Sequence, residues 1–328
     1  VNDAPEITAP GSIAVTEDTE TALTGISISD ADAGTSDVTV TFTVGEGELA
    51  ATSTADVTVG GTATALTLTG TVADINAFIA ASALTFTPAA DATGNVTLTV
   101  DVDDGGNTGS GGAKTDTATV TLAVSAVNDA PTIDGSQVAL TTTNENTMST
   151  TYSVSDWLTD VNYADPDSGA VSGIAITGIV GNGAWQYTTD GNNWYGLGTA
   201  ASDSAALLFA ATTQFRFVPD NNRGGPASLT FRGWDQTSGT ATSGSTLQTG
   251  DASSTGGSTA YSVEDSRAAM VVTQINDAPT LSTTDITLDP VDRNDVSPPI
   301  TVSDLLTDGG YGDVDANPES GIAITALT

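Results

Sequence analysis

Apolar and polar residues alternate one for one through long stretches of this 328-residue chain. The pattern is plain in DVTVTFTV (Asp37–Val44), ALTLTGTV (Ala65–Val72), NVTLTVDV (Asn95–Val102) and DTATVTLAV (Asp116–Val124). A period of two turns one apolar face to a core and one Thr-rich face to water, which predicts β-strands. Turn-rich stretches such as DADAG (30–34) and DDGGNTGSGG (103–112) separate them. One stretch departs from this period: Val72, Ile75, Phe78 and Ile79 recur at helical spacing and predict a short helix of about two turns across a sandwich. Farther on, QFRFVPD (Gln214–Asp220) and SLTFRGWDQTSG (Ser228–Gly239) match ALTFTPAAD and NVTLTVDVDDGG of the first third in order and type. Trp185, Tyr187, Trp194 and Tyr195 lie around TTDGNNW, which reads as a hairpin. Gly239–Ala260, rich in Gly, Ser and Thr, reads as a mobile surface loop.

The strand groups come in modules. VNDAP stands at Val1–Pro5 and again at Val127–Pro131, and INDAP follows at Ile275–Pro279, at intervals of 126 (127 − 1) and 148 (275 − 127) residues. Such spacing marks tandem domains. It divides the chain into a first module at 1–126, a larger, aromatic-rich second at 127–274, and the beginning of a third at 275–328. The third repeats the second closely: Thr301–Leu327 parallels Ser153–Ile179 residue for residue. A half-sandwich leaves an apolar face and strand edges without partners, so this piece needs more of its own chain or a strand from a neighbour. Val1 is not a start methionine and no signal peptide is visible, so the chain reads as part of something longer.

Charge narrows the function. Asp and Glu number 41 against 6 Lys and Arg, a formal net charge of −35. That excludes a nucleic-acid partner and an anionic membrane surface, and no apolar run approaches a membrane span. With no cysteine and no histidine, disulfides, thiolate or imidazole metal sites and Ser–His–Asp or Cys–His catalysis are excluded. Oxygen-rich acidic loops suit a hard cation such as Ca2+.

The acids recur in step with the modules. An early glutamate is Glu17 in the first and Glu145 in the second. A D-x-D follows at Asp30/Asp32, Asp165/Asp167 and Asp313/Asp315. A late acid comes after a strand, Asp103/Asp104 or Asp235, and then the linker supplies Asn128/Asp129 or Asn276/Asp277. These residue types also make turns and side-chain caps. Together the early Glu, DADAG, VDDGG and VNDAP resemble cadherin-type repeats, and more closely the bacterial cadherin-like repeats of very large secreted, RTX-type surface adhesins.

The resemblance covers nearly the whole chain. It implies an all-β fold of tandem cadherin/immunoglobulin-like β-sandwiches in an elongated array, with Ca2+ bound at each junction. It implies Glu17, Asn128, Asp129, Asp165, Asp167 and Asp235 as ligands at the first junction. At the second it implies Glu145, Asn276, Asp277, Asp313 and Asp315. Asn2, Asp3, Asp30, Asp32 and Asp103 would be half of a site completed by a preceding module. Animal cadherins carry an acid two residues before the linker Asn, where Ala126 and Gln274 stand here. The linker is also one residue shorter, and the mid-module Asp-Arg-Glu motif is absent. Fewer carboxylates imply one or two ions per junction rather than three.

The expectation is a calcium-rigidified stalk segment of a bacterial cell-surface adhesin, extracellular and mechanical, holding a distal binding domain away from the cell in adhesion or biofilm attachment. Its partners are neighbouring repeats of the same chain. The alternative is a subunit of an extracellular filament or surface layer, in contact with other copies. A glycan- or protein-binding module, with the aromatics of the second module as its platform, is the third class. No acid sits in a recognisable catalytic context, so no enzyme is expected. The T-x-T runs are those of half-exposed strands rather than an ice-binding face, and the sequon at Asn95 falls in a predicted strand.

Overall fold

A computed structural model describes residues 1–106, 110–283, 285–288, 290–315 and 318–325. Part of the turn-rich stretch 103–112 and the end of the third-module repeat lie outside the described residues. The chain is all-β, with three short helices among the described residues, and divides into two compact units, Val1–Val127 and Asn128–Thr328.

In the first unit the alternating runs become a six-stranded sheet. Its order is Ser12–Thr16, Thr115–Ser125, Gly94–Asp103, Asp37–Val44, Ala65–Thr71 and Val57–Thr62. All pairs are antiparallel except the first, where Ser12–Thr16 runs parallel to Thr121–Ser125. Val38, Val40, Phe42, Leu68, Leu98, Val100 and Leu122 face inward and are buried; the intervening Thr residues face out. A three-stranded sheet (Thr21–Ala22, Thr85–Thr87, Glu48–Ala50) closes the other side with Leu49 and Phe86. The free edge, Val57–Thr62, is partly blocked by its own loop: Val57 C=O accepts from Thr54 N at 2.9 Å, and Val59 N donates to Ser53 Oγ at 2.9 Å. A blocked edge resists pairing with another chain.

Helix α1 (Val72–Ala80) forms where the helical spacing predicts it. Thr71 caps it, accepting from Asp74 N at 3.2 Å, and Ile75, Phe78 and Ile79 are its buried face. Thr71→Ala should cost the first unit about 1 kcal/mol, the usual loss of an N-cap, readable as a lowered urea midpoint with an unchanged slope.

The second unit repeats the plan. A seven-stranded sheet runs Gln137–Ala139, Tyr261–Thr273, Gly225–Trp234, Gly173–Val180, Ala206–Ala210 and Thr249–Gly250, with Thr143–Asn144 also paired to Tyr261–Thr273. A four-stranded sheet of Tyr152–Ser153, Gln214–Pro219, Gly183–Thr188 and Tyr195–Gly196 packs against it. The predicted hairpin is the pair Gly183–Thr188 and Tyr195–Gly196. Trp185 and Tyr187 are fully buried in the core, and Trp194 is half-buried with the Arg216 guanidinium 4.0 Å over its ring. Two of the four aromatics are thus core residues, and Trp194 and Tyr195 lie half-buried beside them.

Two features differ from the sequence expectation. Gly239–Ala260 is not a free loop. Thr249–Gly250 pairs with Ala206–Leu207, and Ala252 and Ala260 are buried with Trp234, Leu208 and Tyr261 in a small second core. Small residues let this segment lie flat on the sheet, and the same composition makes it read as loop. Two further helices also form, α2 (Val154–Asp160) and α3 (Val302–Asp308), capped by Ser153 and Thr301. Each is only seven residues, too short to show a helical period. Each ends in a left-handed residue, Asn162 (φ 52°) and Gly310 (φ 59°), the conformation Asn and Gly tolerate best.

Beyond Gln274 the third module pairs Thr280–Leu281 with Tyr311–Gly312, the counterpart of the Thr132–Ala164 bridge of the second. Leu306 is buried like its counterpart Leu158, but other apolar residues are exposed where their counterparts are buried: Val302 is 46% and Ile324 72% exposed, against 0% for Val154 and Ile176.

Candidate metal centre

The parallel pairing of first and last strands builds the upper half of each candidate site. Thr16 pairs with Ser125 and Asn144 with Thr273, so the next residue, Glu17 or Glu145, lies beside the exit of the last strand. Both glutamates are buried, and both donate N–H to the last strand, Glu17 to Ser125 O and Glu145 to Thr273 O, each at 3.1 Å. Each side chain then accepts the N–H of the linker's first residue: Val127 N reaches Glu17 Oε1 and Ile275 N reaches Glu145 Oε1, both at 2.5 Å. A β-branched residue opens each linker, and its amide is tied to a carboxylate.

The lower half repeats in all three modules. In the first, Asp3 N donates to Asp32 Oδ1 at 3.2 Å, and Asp32 N to Asp30 Oδ1 at 3.0 Å. In the second, Asp129 N donates to Asp167 Oδ2 at 2.9 Å, and Asp167 N to Asp165 Oδ1 at 3.0 Å. In the third, Asp277 N donates to Asp315 Oδ2 and Asp315 N to Asp313 Oδ1, both at 3.0 Å. The D-x-D is thus a turn in which the first Asp orders the second, and the second receives the linker. Tyr163 and Tyr311 add a hydroxyl to Asp165 and Asp313, each at 3.1 Å. Ile28 holds the matching place in the first module, and Asp30 Oδ2 there is buried without a hydrogen-bond partner. Burial, chiefly, raises the pKa of Asp165, the nearby Asp167 and Asp235 charges adding to it, although Asp167 N–H and the Tyr163 hydroxyl work the other way.

The late acid locks the linker Asn. Asn128 Nδ2 donates to buried Asp235 at 2.9 Å, and buried Asn2 donates to Asp104 Oδ2 at 2.5 Å. This corrects the sequence assignment: Asp104, not Asp103, takes the place matching Asp235. Asp103 ends its strand, is exposed, and accepts from Gly105 N at 2.8 Å. The signal was present, since Asp104 and Asp235 are each the first residue after the penultimate long strand.

Burial works to raise the Asp104 pKa, but the N–H groups of Lys114 and Gly106, the Asn2 amide and the Lys114 charge outweigh it and hold it below the usual value. A depressed carboxylate adds stability that is present above its unfolded pKa and lost as pH falls through the folded one. The first unit should therefore weaken below about pH 4, and Asp104→Ala should flatten that part of its melting-temperature profile.

One cluster closes within the second unit. Carboxylate oxygens of Glu145, Asp277 and Asp315 all lie within 4.8 Å of one another. Glu145 is 0% exposed, and neither its Oε2 nor Asp277 Oδ2 has a hydrogen-bond partner although both are buried. Asn276 is exposed and donates to Asp277 O at 2.9 Å. The donor set is entirely oxygen, which fits a hard divalent cation and no soft one.

No protein-family model and no curated protein matches this chain. Among solved structures it is similar to mouse cadherin-23 EC22-24, at 14% identity over 86% of this chain and 71% of that one, TM-score 0.41. It is similar to protocadherin gamma B2 extracellular cadherin domains 3-6, at 14% identity over 88% of this chain and 56% of that one, TM-score 0.39. It is similar to an endo-fucoidan hydrolase of glycoside hydrolase family 107, at 16% identity over 83% of this chain and 29% of that one, TM-score 0.24. These likenesses are low, and the sandwich fold rests on the strand pairing itself.

Proposed function

We propose that this chain is a segment of an extracellular, adhesion-type stalk whose β-sandwich modules are joined by linkers that calcium stiffens. The observation that supports this most is Glu145, a fully buried carboxylate with one oxygen on the linker amide and the other without a hydrogen-bond partner, in a cluster with the carboxylates of Asp277 and Asp315. Two such charges within 4.8 Å of each other repel by about 3 kcal/mol or more at an effective dielectric of 20. Three of them in one pocket call for a cation. Ca2+ takes 6–8 oxygens, and extracellular modules bind it at about 10⁻⁴–10⁻³ M.

Bound there, Ca2+ supplies the positive charge that three acids lack. Glu145 then holds the end of the second module, Asp315 the start of the third, and Asp277 the chain between them. Without it the same residues push the linker open. The residue types recur in the sequence as Glu17, Asp129 and Asp167, so we read each VNDAP as a linker of this kind.

The role is mechanical and non-catalytic. The setting we propose is a large bacterial surface adhesin, with further repeats of the same chain as neighbours. Calorimetry of the whole chain in excess calcium and in excess EDTA tests this: the melting temperature should rise in calcium, and identical traces would sink the reading. A second reading is a filament or surface-layer subunit, in contact with other copies of the chain. Concentration-dependent assembly in size-exclusion chromatography would select it.

A further inference from the structure

The residue before the second linker does work that its counterpart before the first cannot. Gln274 Nε2 donates to Asp315 Oδ1 at 3.1 Å. Asp277 N already holds the other oxygen, Oδ2, at 3.0 Å, and Asp315 N is fixed on Asp313. Asp315 is therefore clamped through both carboxylate oxygens and its own backbone before any ion arrives. Each oxygen keeps a second lone pair for a metal. The clamp reaches across modules, because Gln274 directly follows the last strand of the second, Tyr261–Thr273, and Asp315 belongs to the third.

Charge makes this arrangement specific. Glu145, Asp277 and Asp315 repel one another, and a free Asp315 side chain would rotate away into water. A neutral amide that donates to it opposes that rotation without adding a fourth negative charge. Ordering a ligand in advance removes part of the entropy cost of binding. Gln274 also lines, with Asn276, Asp313, Asp315 and Glu319, an open cavity of about 280 Å3 that reaches the Asp315 end of the cluster. Alanine stands at the matching place before the first linker, Ala126, and valine at the place of Glu319, Val171.

We propose that Gln274 is a positioning residue that sets the cation affinity of the second linker by holding Asp315 in its liganding rotamer. This rests on the calcium reading of the Glu145–Asp277–Asp315 cluster.

The test uses the whole chain and Tb3+ as a luminescent stand-in for Ca2+, excited through tyrosine. Tyr311, whose hydroxyl sits on Asp313, is the antenna nearest this site, so the emission lost in Tyr311→Phe identifies it. Gln274→Ala should weaken Tb3+ binding there about tenfold, the cost typical of removing a residue that orients a ligand. Gln274→Met keeps the length but has no N–H, and should lose as much. The melting temperature in EDTA should be nearly the same for all three proteins, which separates positioning from folding. Wild-type affinity in either variant, or in Met alone, overturns the role of the amide and leaves the calcium reading standing. If the wild type gives no saturable emission that Ca2+ competes away, the calcium reading falls and this inference with it.

Discussion

Glu145→Gln is expected to reverse the order of stabilities between calcium and chelator. In calcium the variant should melt below the wild type, with cation affinity at the second linker down more than about a hundredfold, since a charged ligand is removed outright. In EDTA it should melt above it. Glutamine has the same shape and keeps an acceptor for Ile275 N. Its amide group then stands where Oε2 stood, buried and without a partner, and can donate to Asp277 or Asp315. The variant so removes two of the three carboxylate repulsions and adds a hydrogen bond. Each kcal/mol relieved is worth about 2–4 °C in a unit of this size. Two melting curves in each condition decide the matter. A variant that loses stability in both would mean that Glu145 is only a structural anchor.

Trp157→Ala should be the most destabilising single change in the second unit, by about 3–5 kcal/mol. Trp157 is 1% exposed. Its ring stacks on Phe215 at 5.3 Å and on Phe231 at 5.8 Å. Phe215 lies on the four-stranded sheet and Phe231 on the seven-stranded one, so one side chain joins both layers of the sandwich. A loss of that size is a large fraction of the 5–15 kcal/mol typical of a domain. The turn that follows α2 carries Asn162, Tyr163, Asp165 and Asp167. Hydrogen exchange across residues 161–167 should therefore quicken before the rest of the unit. Denaturant melts supply the energy; a cost below about 1 kcal/mol would contradict the stacking.

The strands were legible because their alternation is local. Asp37–Val44 is found where the pattern places it, Ala65–Val72 loses its last residue to the helix, and the other two runs each gain one residue at both ends. The D-x-D turns were legible for the same reason, since the first Asp orders the second within three residues. What escaped was set by distance. Neither α2 nor α3 is long enough for a period, although S/T-x-x-D at Ser153–Asp156 and Thr301–Asp304 is a readable cap signal. Choosing Asp104 over Asp103 needs the strand's end and the position of Asn2, 102 residues away. The packing of Gly239–Ala260 depends on Trp234 and Tyr261 offering a flat surface to small residues, which composition alone does not reveal.

The parallel pairing of the first and last strands has a consequence for load. Ser12–Thr16 and Thr121–Ser125 run side by side in the same direction, so a pull on the two ends of the module slides one past the other. Their hydrogen bonds are then strained together, in shear, instead of being unzipped one after another. Glu17 sits at the downstream end of that ladder and grips Val127 N. Tension entering through the linker meets this grip first. Under such a pull, the carboxylate that anchors the linker amide would be loaded before the rest of the ladder.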